Sequence, residues 1–301
     1  FPTSPSLPIK IQRFDTCFIG ANEAAQAPPP FSFGQPTIMA NSPQLQTAIR
    51  AALKAGKIIS RESGNVDSLE VHEKTQFDFF SRVDTECQET IYGILKAAFP
   101  RDGFVAEENG VAEHTDAECV WYIDPLDGTT NFLHGFPQYA VSIGMTYRGK
   151  LTIGVVYDPS RNELFYAEKG KGAFMNDARI RVSGRSDFSQ ALIGTGFPFR
   201  KTDDYASFMP KFERVARAAA GLRRAGSAAL DLSWVACGRM DAFWEYNLKS
   251  WDLAAGALIV LEAGGLVTDM KGGEGYLESG CICAGTPKIF APLIAKVGDI
   301  K

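Results

Sequence analysis

The chain has 301 residues, 45% of them hydrophobic and 22% charged, enough apolar material for one large domain or two of ordinary size. Its formal net charge of −4 is spread without a long run of one sign, which removes the global electrostatic case for a nucleic-acid or membrane-surface partner. No apolar stretch approaches the ~20 residues of a spanning helix; the best, LAAGALIVLEAGG, carries Glu262 and ends in two glycines, so no membrane partner is expected and the setting is read as cytoplasmic.

Residues 1–38 differ from the rest. Seven of the sixteen prolines fall here and no helical or strand period is visible, so the segment reads as a poorly ordered extension, or as sequence upstream of a start at Met39. It has neither the basic start and apolar run of a signal peptide nor the arginines of an organellar presequence. The remainder, 39–301, reads as a single domain with no linker and no internal repeat.

Positions 44–62 and 84–98 carry apolar residues at helical spacing, with Asp84 placed to begin the second helix. GFVAEEN at 103–109 is a strand running into acids, and CVWYI at 119–123 is a second strand. Residues 139–147 and 151–157 form a hairpin around Arg148-Gly149-Lys150, and ELFYAEKGKGAFMN continues the sheet. A second half opens near Ala191, with short strands and helices over 208–220 and 251–263. Strands in runs mixed with helices imply a layered α/β arrangement.

The six cysteines contain no CxxC unit and the three histidines no HxxxH, so free thiols in a reducing compartment are expected, and any metal must be held by oxygen. Acids stand where strands end or helices begin: Glu107-Glu108 after GFVA, Asp124 and Asp127 after VWYI, Asp252 in KSWDLAAG, and Asp84. Each alone could be a turn or a helix cap, worth roughly 0.3–2 kcal/mol. The stretch WYIDPLDGTTNFLHGFP is harder to dismiss. Pro125 and Gly128 would hold Asp124, Asp127 and the Leu126 carbonyl in a defined relation, while the glycine turn into Thr129-Thr130 can offer backbone N–H groups to an anion. Two unit charges ~4 Å apart interact by about 4 kcal/mol at an effective dielectric near 20, so acids beside an anion site require cations between them. Mg²⁺, which prefers carboxylates, water and phosphate oxygens, fits that combination.

WYIDPLDGTTNFLHGFP resembles the first signature of the inositol monophosphatase family, and SWDLAAGALIVLEAGG resembles its second. VAEEN is similar to the GEE element before the first signature, with Ala106 where many members have Gly. FDFFSRVD matches the segment carrying an active-site aspartate, and GLRRAGSAALDLSWVACGRMDAFWE the substrate-binding half. The resemblance runs from about residue 45 to 297 and is strongest to the bacterial branch through RRAGSAALDL. It implies the layered αβαβα sandwich of the inositol monophosphatase / fructose-1,6-bisphosphatase type, a homodimer, and Mg²⁺-dependent, lithium-sensitive phosphatase activity.

Carried over by position, one metal would bind Glu107, Asp124 and the Leu126 carbonyl, and a second Asp124, Asp127 and Asp252; a third, weaker ion would sit beside Glu107. Asp127, Gly128 and Thr129 would lie at the phosphate or the attacking water, with Asp84 hydrogen-bonding nearby. Gly226, Ser227, Ala228 and Glu245 fall where members contact sugar-alcohol hydroxyls, which favours a small phosphorylated polyol such as inositol-1-phosphate. Glu107 with Thr129 would orient and deprotonate a metal-activated water for in-line attack, without a phosphoenzyme.

Three alternatives stand beside this reading. The same acids could serve another small ester: fructose bisphosphate, a nucleotide phosphate or histidinol phosphate. An aspartyl-phosphate hydrolase needs DxDxT, whereas here two residues separate Asp124 from Asp127. Bacterial relatives are associated with RNA polymerase and ribosomal RNA transcription, and Arg214, Arg217, Arg223 and Arg224 could supply a basic contact patch, although a solvated face explains them as well. Trp244 and Trp251 could line the site or pack in the core.

Overall fold

The computed structural model describes residues 41–66, 71–75, 78–198 and 203–298; the expectation for residues 1–38 lies outside the described residues. Helix α1 (Pro43–Glu62) starts on Ser42, whose hydroxyl accepts from the Leu45 N–H at 3.2 Å, with Pro43 at the first helical position. Leu45, Ala48, Ala52, Ala55 and Ile59 form its buried stripe. Strands β1 (Val71–Thr75) and β2 (Asp78–Ser81) pair antiparallel and lead into α2 (Arg82–Ala98). Asp84 does not begin α2. Ser81 is the cap, and Asp84, the third residue, accepts from the Ser81 N–H at 2.8 Å to close a capping box.

The next strands are β3 (Gly103–Ala106), β4 (Ala112–Glu113), β5 (Cys119–Asp127), β6 (Ala140–Tyr147), β7 (Lys150–Asp158), β8 (Glu163–Glu168), β9 (Gly172–Met175) and β10 (Ala178–Ile180). Among the described residues they form one sheet in the order β10-β9-β8-β7-β6-β5-β3-β4, antiparallel except for the parallel β3–β5 pair. The expected hairpin is β6–β7, turning through Arg148 and Gly149, both at positive φ. The strand expected to stop at Ile123 runs on to Asp127. Its register with β6 slips between Asp124 and Asp127, where Pro125 has no N–H to donate to the ladder. The bulge sits inside the acidic stretch. A short helix, α3 (Thr129–Leu133), follows Gly128.

The second half contains β11 (Leu192–Thr195), α4 (Tyr205–Ala216), β12 (Gly221–Arg223), α5 (Ala228–Ala236), β13 (Ala242–Glu245), α6 (Ser250–Glu262), β14 (Leu266–Thr268), α7 (Tyr276–Ser279), β15 (Ile282–Gly285) and α8 (Pro287–Val297). Its strands pair in the order β12-β11-β13-β15-β14. Helices α4 and α6 answer to the two expected, with α4 shifted toward the N-terminus. Helix α5 was not among them. Its sequence, AALDLSWVA, is buried on nearly every side and therefore shows no amphipathic period.

Three apolar clusters define the layers. Trp121, Ile123, Ile143 and Val155 turn one face of the large sheet toward α1 and α2. Val156, Phe165 and Ala167 turn the other toward α5 and α6, which Phe243, Ile282 and Ala284 of the small sheet cover from behind. Trp244, Cys283 and Ala242 face α4 and α8 through Phe208, Val215, Ile289 and Leu293. The result is the expected αβαβα sandwich. Helix α6 comes unusually close to the large sheet. Gly144 and Gly154 oppose one another across β6–β7, and a Cβ on either would stand 2.5 Å from Ala254 or 2.6 Å from the Ala255 carbonyl.

Candidate active site

Four of the acids that line one cavity of about 450 Å³ are those singled out in the sequence: Glu107 after β3, Asp124 and Asp127 around the β5 bulge, and Asp252 in the first turn of α6. Each of the three aspartates is fixed by its own donors. The Leu126 N–H binds Asp124 Oδ1 at 2.9 Å, a turn that the bulge makes possible. Asp127 Oδ2 accepts from Ser227 Oγ and from the Ala229 N–H, both at 2.7 Å, so the N-terminus of α5 holds it. Asp252 Oδ2 accepts from the Lys249 N–H at 2.8 Å. The Ser142 hydroxyl of β6 donates to the Trp251 carbonyl at 3.0 Å and pins the start of α6 to the sheet. The two glutamates separate. Glu107 lines the cavity, whereas Glu108 is buried, its backbone N–H and carbonyl clamped at 2.7 Å by the Gln88 side chain from α2.

Asp84 is fully buried and reaches the cavity through Thr129, whose Oγ1 lies 3.0 Å from Asp84 Oδ1 and 3.0 Å from the Leu126 carbonyl. Gly128 turns the chain into α3 at φ 93°, and a Cβ there would also strike the Gln138 carbonyl at 2.7 Å, so only glycine fits. Gly226, Ala228 and Glu245 line the same cavity as the acids. Ser227, expected among the residues facing a sugar alcohol, is buried and spends its hydroxyl on Asp127. Trp251 lines the cavity, while Trp244 is in the core, stacked 5.0 Å from Phe208.

Several contributors carried no signal that a sequence pattern could expose. The Asn131 amide donates to the carbonyls of Gln138 at 2.7 Å and Ala225 at 2.9 Å, tying the α3 segment to the wall that carries Gly226. Ser81 donates its hydroxyl to Asp84 Oδ2 at 2.8 Å. Of the four arginines offered as a basic contact patch, Arg224 lines the cavity. Arg217 instead pairs with Glu213 one turn away on α4, and Arg214 binds the Lys296 carbonyl.

Burial, and then the charges of neighbouring acids, raises the affinity of these groups for protons. Burial pushes Asp84 up to about 6, against the hydrogen bonds from Ser81 and Thr129. Burial likewise brings Asp127 to about 6, opposed by Ser227 and Ala229. Asp124 is held well above the ordinary carboxylate range by burial and then by the charges of Glu107, Asp127 and Asp252; Asp252 is raised by burial, Asp127 and Glu107. Among the described residues no three His, Cys, Asp or Glu side chains are already gathered as a metal-holding group. The donor set still suits a hard divalent cation: carboxylate oxygens from Glu107, Asp124, Asp127 and Asp252, with the Leu126 carbonyl and without sulfur or imidazole. Positive charge between these acids would relieve the repulsion that raises them.

The described cysteines 87, 119, 237, 281 and 283 are all free thiols, and among the described residues no helix is long and apolar enough to cross a membrane. A model described as the inositol monophosphatase family matches residues 40–300. Among curated proteins, the Nus factor SuhB of Pseudomonas aeruginosa is 47% identical over 259 residues, covering 85% of this chain and 96% of that protein. The inositol-1-monophosphatase of Mesorhizobium japonicum is 45% identical over 259 residues, covering 86% and 97%. Among solved structures, the extragenic suppressor protein suhB of Bartonella henselae superposes with a TM-score of 0.82 at 42% identity, covering 86% of this chain and 99% of that one.

Proposed function

The chain belongs to the inositol monophosphatase family, and from that premise we propose that it hydrolyses the phosphate ester of a small polyol, inositol-1-phosphate, with Mg²⁺ as cofactor. The observation that carries the reading is the convergence of Glu107, Asp124, Asp127 and Asp252 on one cavity whose wall also presents Thr129 and Glu245. Mg²⁺ held by those carboxylates and the Leu126 carbonyl would neutralise the ester's charge and stabilise the departing oxygen.

The protein's own groups supply the rest. The Thr129 hydroxyl has one proton, which its position between Asp84 and the Leu126 carbonyl commits inward. Its free lone pair then accepts from the attacking water and fixes that water's direction. Glu107, on the same wall, takes the water's proton as the bond to phosphorus forms. The turn at Gly128 brings the backbone of 128–130 to the phosphate side of the cavity. Gly226 and Ala228 leave space for a ring, and Glu245 accepts from its hydroxyls. The products are the alcohol and inorganic phosphate.

Phosphate release across inositol-1-phosphate, fructose bisphosphate, nucleotide phosphates and histidinol phosphate, with Mg²⁺ and with added Li⁺, tests this reading. Fastest turnover is expected on the inositol ester, with inhibition by Li⁺; a strong preference for another ester would overturn the substrate. A homodimer is the expected assembly, to be read from sedimentation. A second role has support of its own, because the Pseudomonas aeruginosa relative is a Nus factor. A salt-sensitive pull-down of RNA polymerase would support a transcriptional association, and no capture at low salt would remove it.

A further inference from the structure

Behind the wall of the active-site cavity lies a separate groove of about 400 Å³, lined in part by Arg161, Glu163, Arg223, Ala225, Trp234 and Arg239. Its chemistry differs from that of the cavity. Arg161 donates to the buried Asp158 at 2.6 Å while its guanidinium packs over the Trp234 ring, 5.2 Å from the centroid. Arg239 is held in a two-pronged ion pair by Glu163, with Nη2 2.6 Å from Oε1. Arg223, exposed, donates to the carbonyl of Leu222. Three arginines therefore meet two carboxylates, and one positive charge is in excess. The Trp234 indole N–H is buried and has no acceptor among the described residues.

The groove and the catalytic cavity share a wall. Arg223 and Ala225 line the groove, while the alternating residues Arg224 and Gly226 line the cavity. The same segment is tied to α3 by Asn131 through the Ala225 carbonyl. Helix α5 likewise carries Trp234 on the groove and, at its other end, the Ala229 N–H that holds Asp127.

We propose that this groove is a second binding site, for a small oxyanion of the phosphate class, held by Arg161, Arg223 and Arg239 against Trp234. Guanidinium groups match such an anion in shape and charge, and their existing carboxylate partners hold them in place for it. Occupancy would be felt in the catalytic cavity through residues 223–226.

The test is titration of the metal-free full chain with inorganic phosphate at constant ionic strength, following the indole N–H resonances of Trp234 and, as the reporter for the catalytic cavity, Trp251. A saturable shift of the Trp234 signal is expected, weakened about tenfold in Arg223→Gln, which removes one charge-assisted contact. Trp234→Phe should retain the fold and basal turnover while abolishing any effect of phosphate that acts through the groove. An unmoved Trp234 signal, an equal shift with chloride, or unchanged affinity in Arg223→Gln would overturn the proposal. A Trp234 signal that follows protein concentration and ignores phosphate would overturn it too, in favour of a second copy covering the groove. Direct binding is independent of turnover, so its failure is distinct from failure of the phosphatase reading.

Discussion

Thr129 depends on a residue that never reaches the cavity. Its hydroxyl has a single proton and two acceptors at 3.0 Å, and one of them is the buried Asp84 that also closes the α2 capping box. Thr129→Val keeps the shape and removes the oxygen, and should lower kcat by about 10²-fold if the hydroxyl orients the nucleophile. Asp84 retains both donors of Ser81, so the loss in stability should be only about 0.5–1.5 kcal/mol. Thr129→Ser restoring most turnover would support the assignment; Thr129→Val with normal kcat would remove it. Asp127→Asn should cost at least about 10²-fold in turnover with Mg²⁺ while circular dichroism stays unchanged, since its side-chain oxygen can still accept from Ser227 and Ala229. Near-normal activity in that variant would withdraw Asp127 from the site. The acids themselves were legible in the sequence because each stands where a strand ends or a helix begins. Ser81, Gln88 and Asn131 were not, because a polar residue that clamps a distant backbone has no local pattern.

Among the elements, α6 has the strictest placement. It carries Asp252, and its distance from the large sheet is set by the Gly144–Gly154 pair. Gly154→Ala puts a methyl 2.6 Å from the Ala255 carbonyl, so the helix must retreat. The expected cost is about 1–3 kcal/mol by thermal or urea unfolding, together with weaker Mg²⁺ dependence of activity because Asp252 moves with the helix. Unchanged metal dependence in a destabilised variant would separate packing from the site. Helix boundaries on amphipathic segments were readable within a few residues. Helix α5 was not, since an element covered by a sheet on each side keeps no polar face to mark its period. The β5 bulge was hidden for a related reason: a register slip belongs to a pair of strands.

At the scale of the molecule, the raised acids set a pH dependence. Asp84 and Asp127 stand at about 6, above the ordinary value of 3.8, and Asp124 and Asp252 are raised as well. A carboxyl whose folded pKa exceeds its unfolded one adds stability that is full below the unfolded value and lost as pH rises through the folded value. Metal-free protein should therefore be less stable at pH 7.5 than at pH 5, by about 1.4 kcal/mol for the Asp84 shift alone, the rest of that group's effect being already lost between its unfolded value and pH 5. Saturating Mg²⁺ should reverse the loss at pH 7.5, since the cation favours the ionised acids. Urea unfolding at both values, with and without Mg²⁺, checks this; a flat profile, or no effect of the metal, would contradict a site built from these carboxylates.

The amino-acid sequence by itself determined the alternation of strands and helices, the acidic motif at the end of β5 and the family to which the chain belongs. Those are local facts, written in periodicity, proline and glycine placement and motif spacing. Only the tertiary structure decided which acids share a cavity, which glutamate of the pair faces it, and that Ser227 serves Asp127 across 100 positions of chain. It also decided that Arg223 and Arg224 face different spaces. The physical reason is that a carboxylate's role depends on the donors and charges brought beside it, and packing two sheets around α5 and α6 supplies them from distant segments.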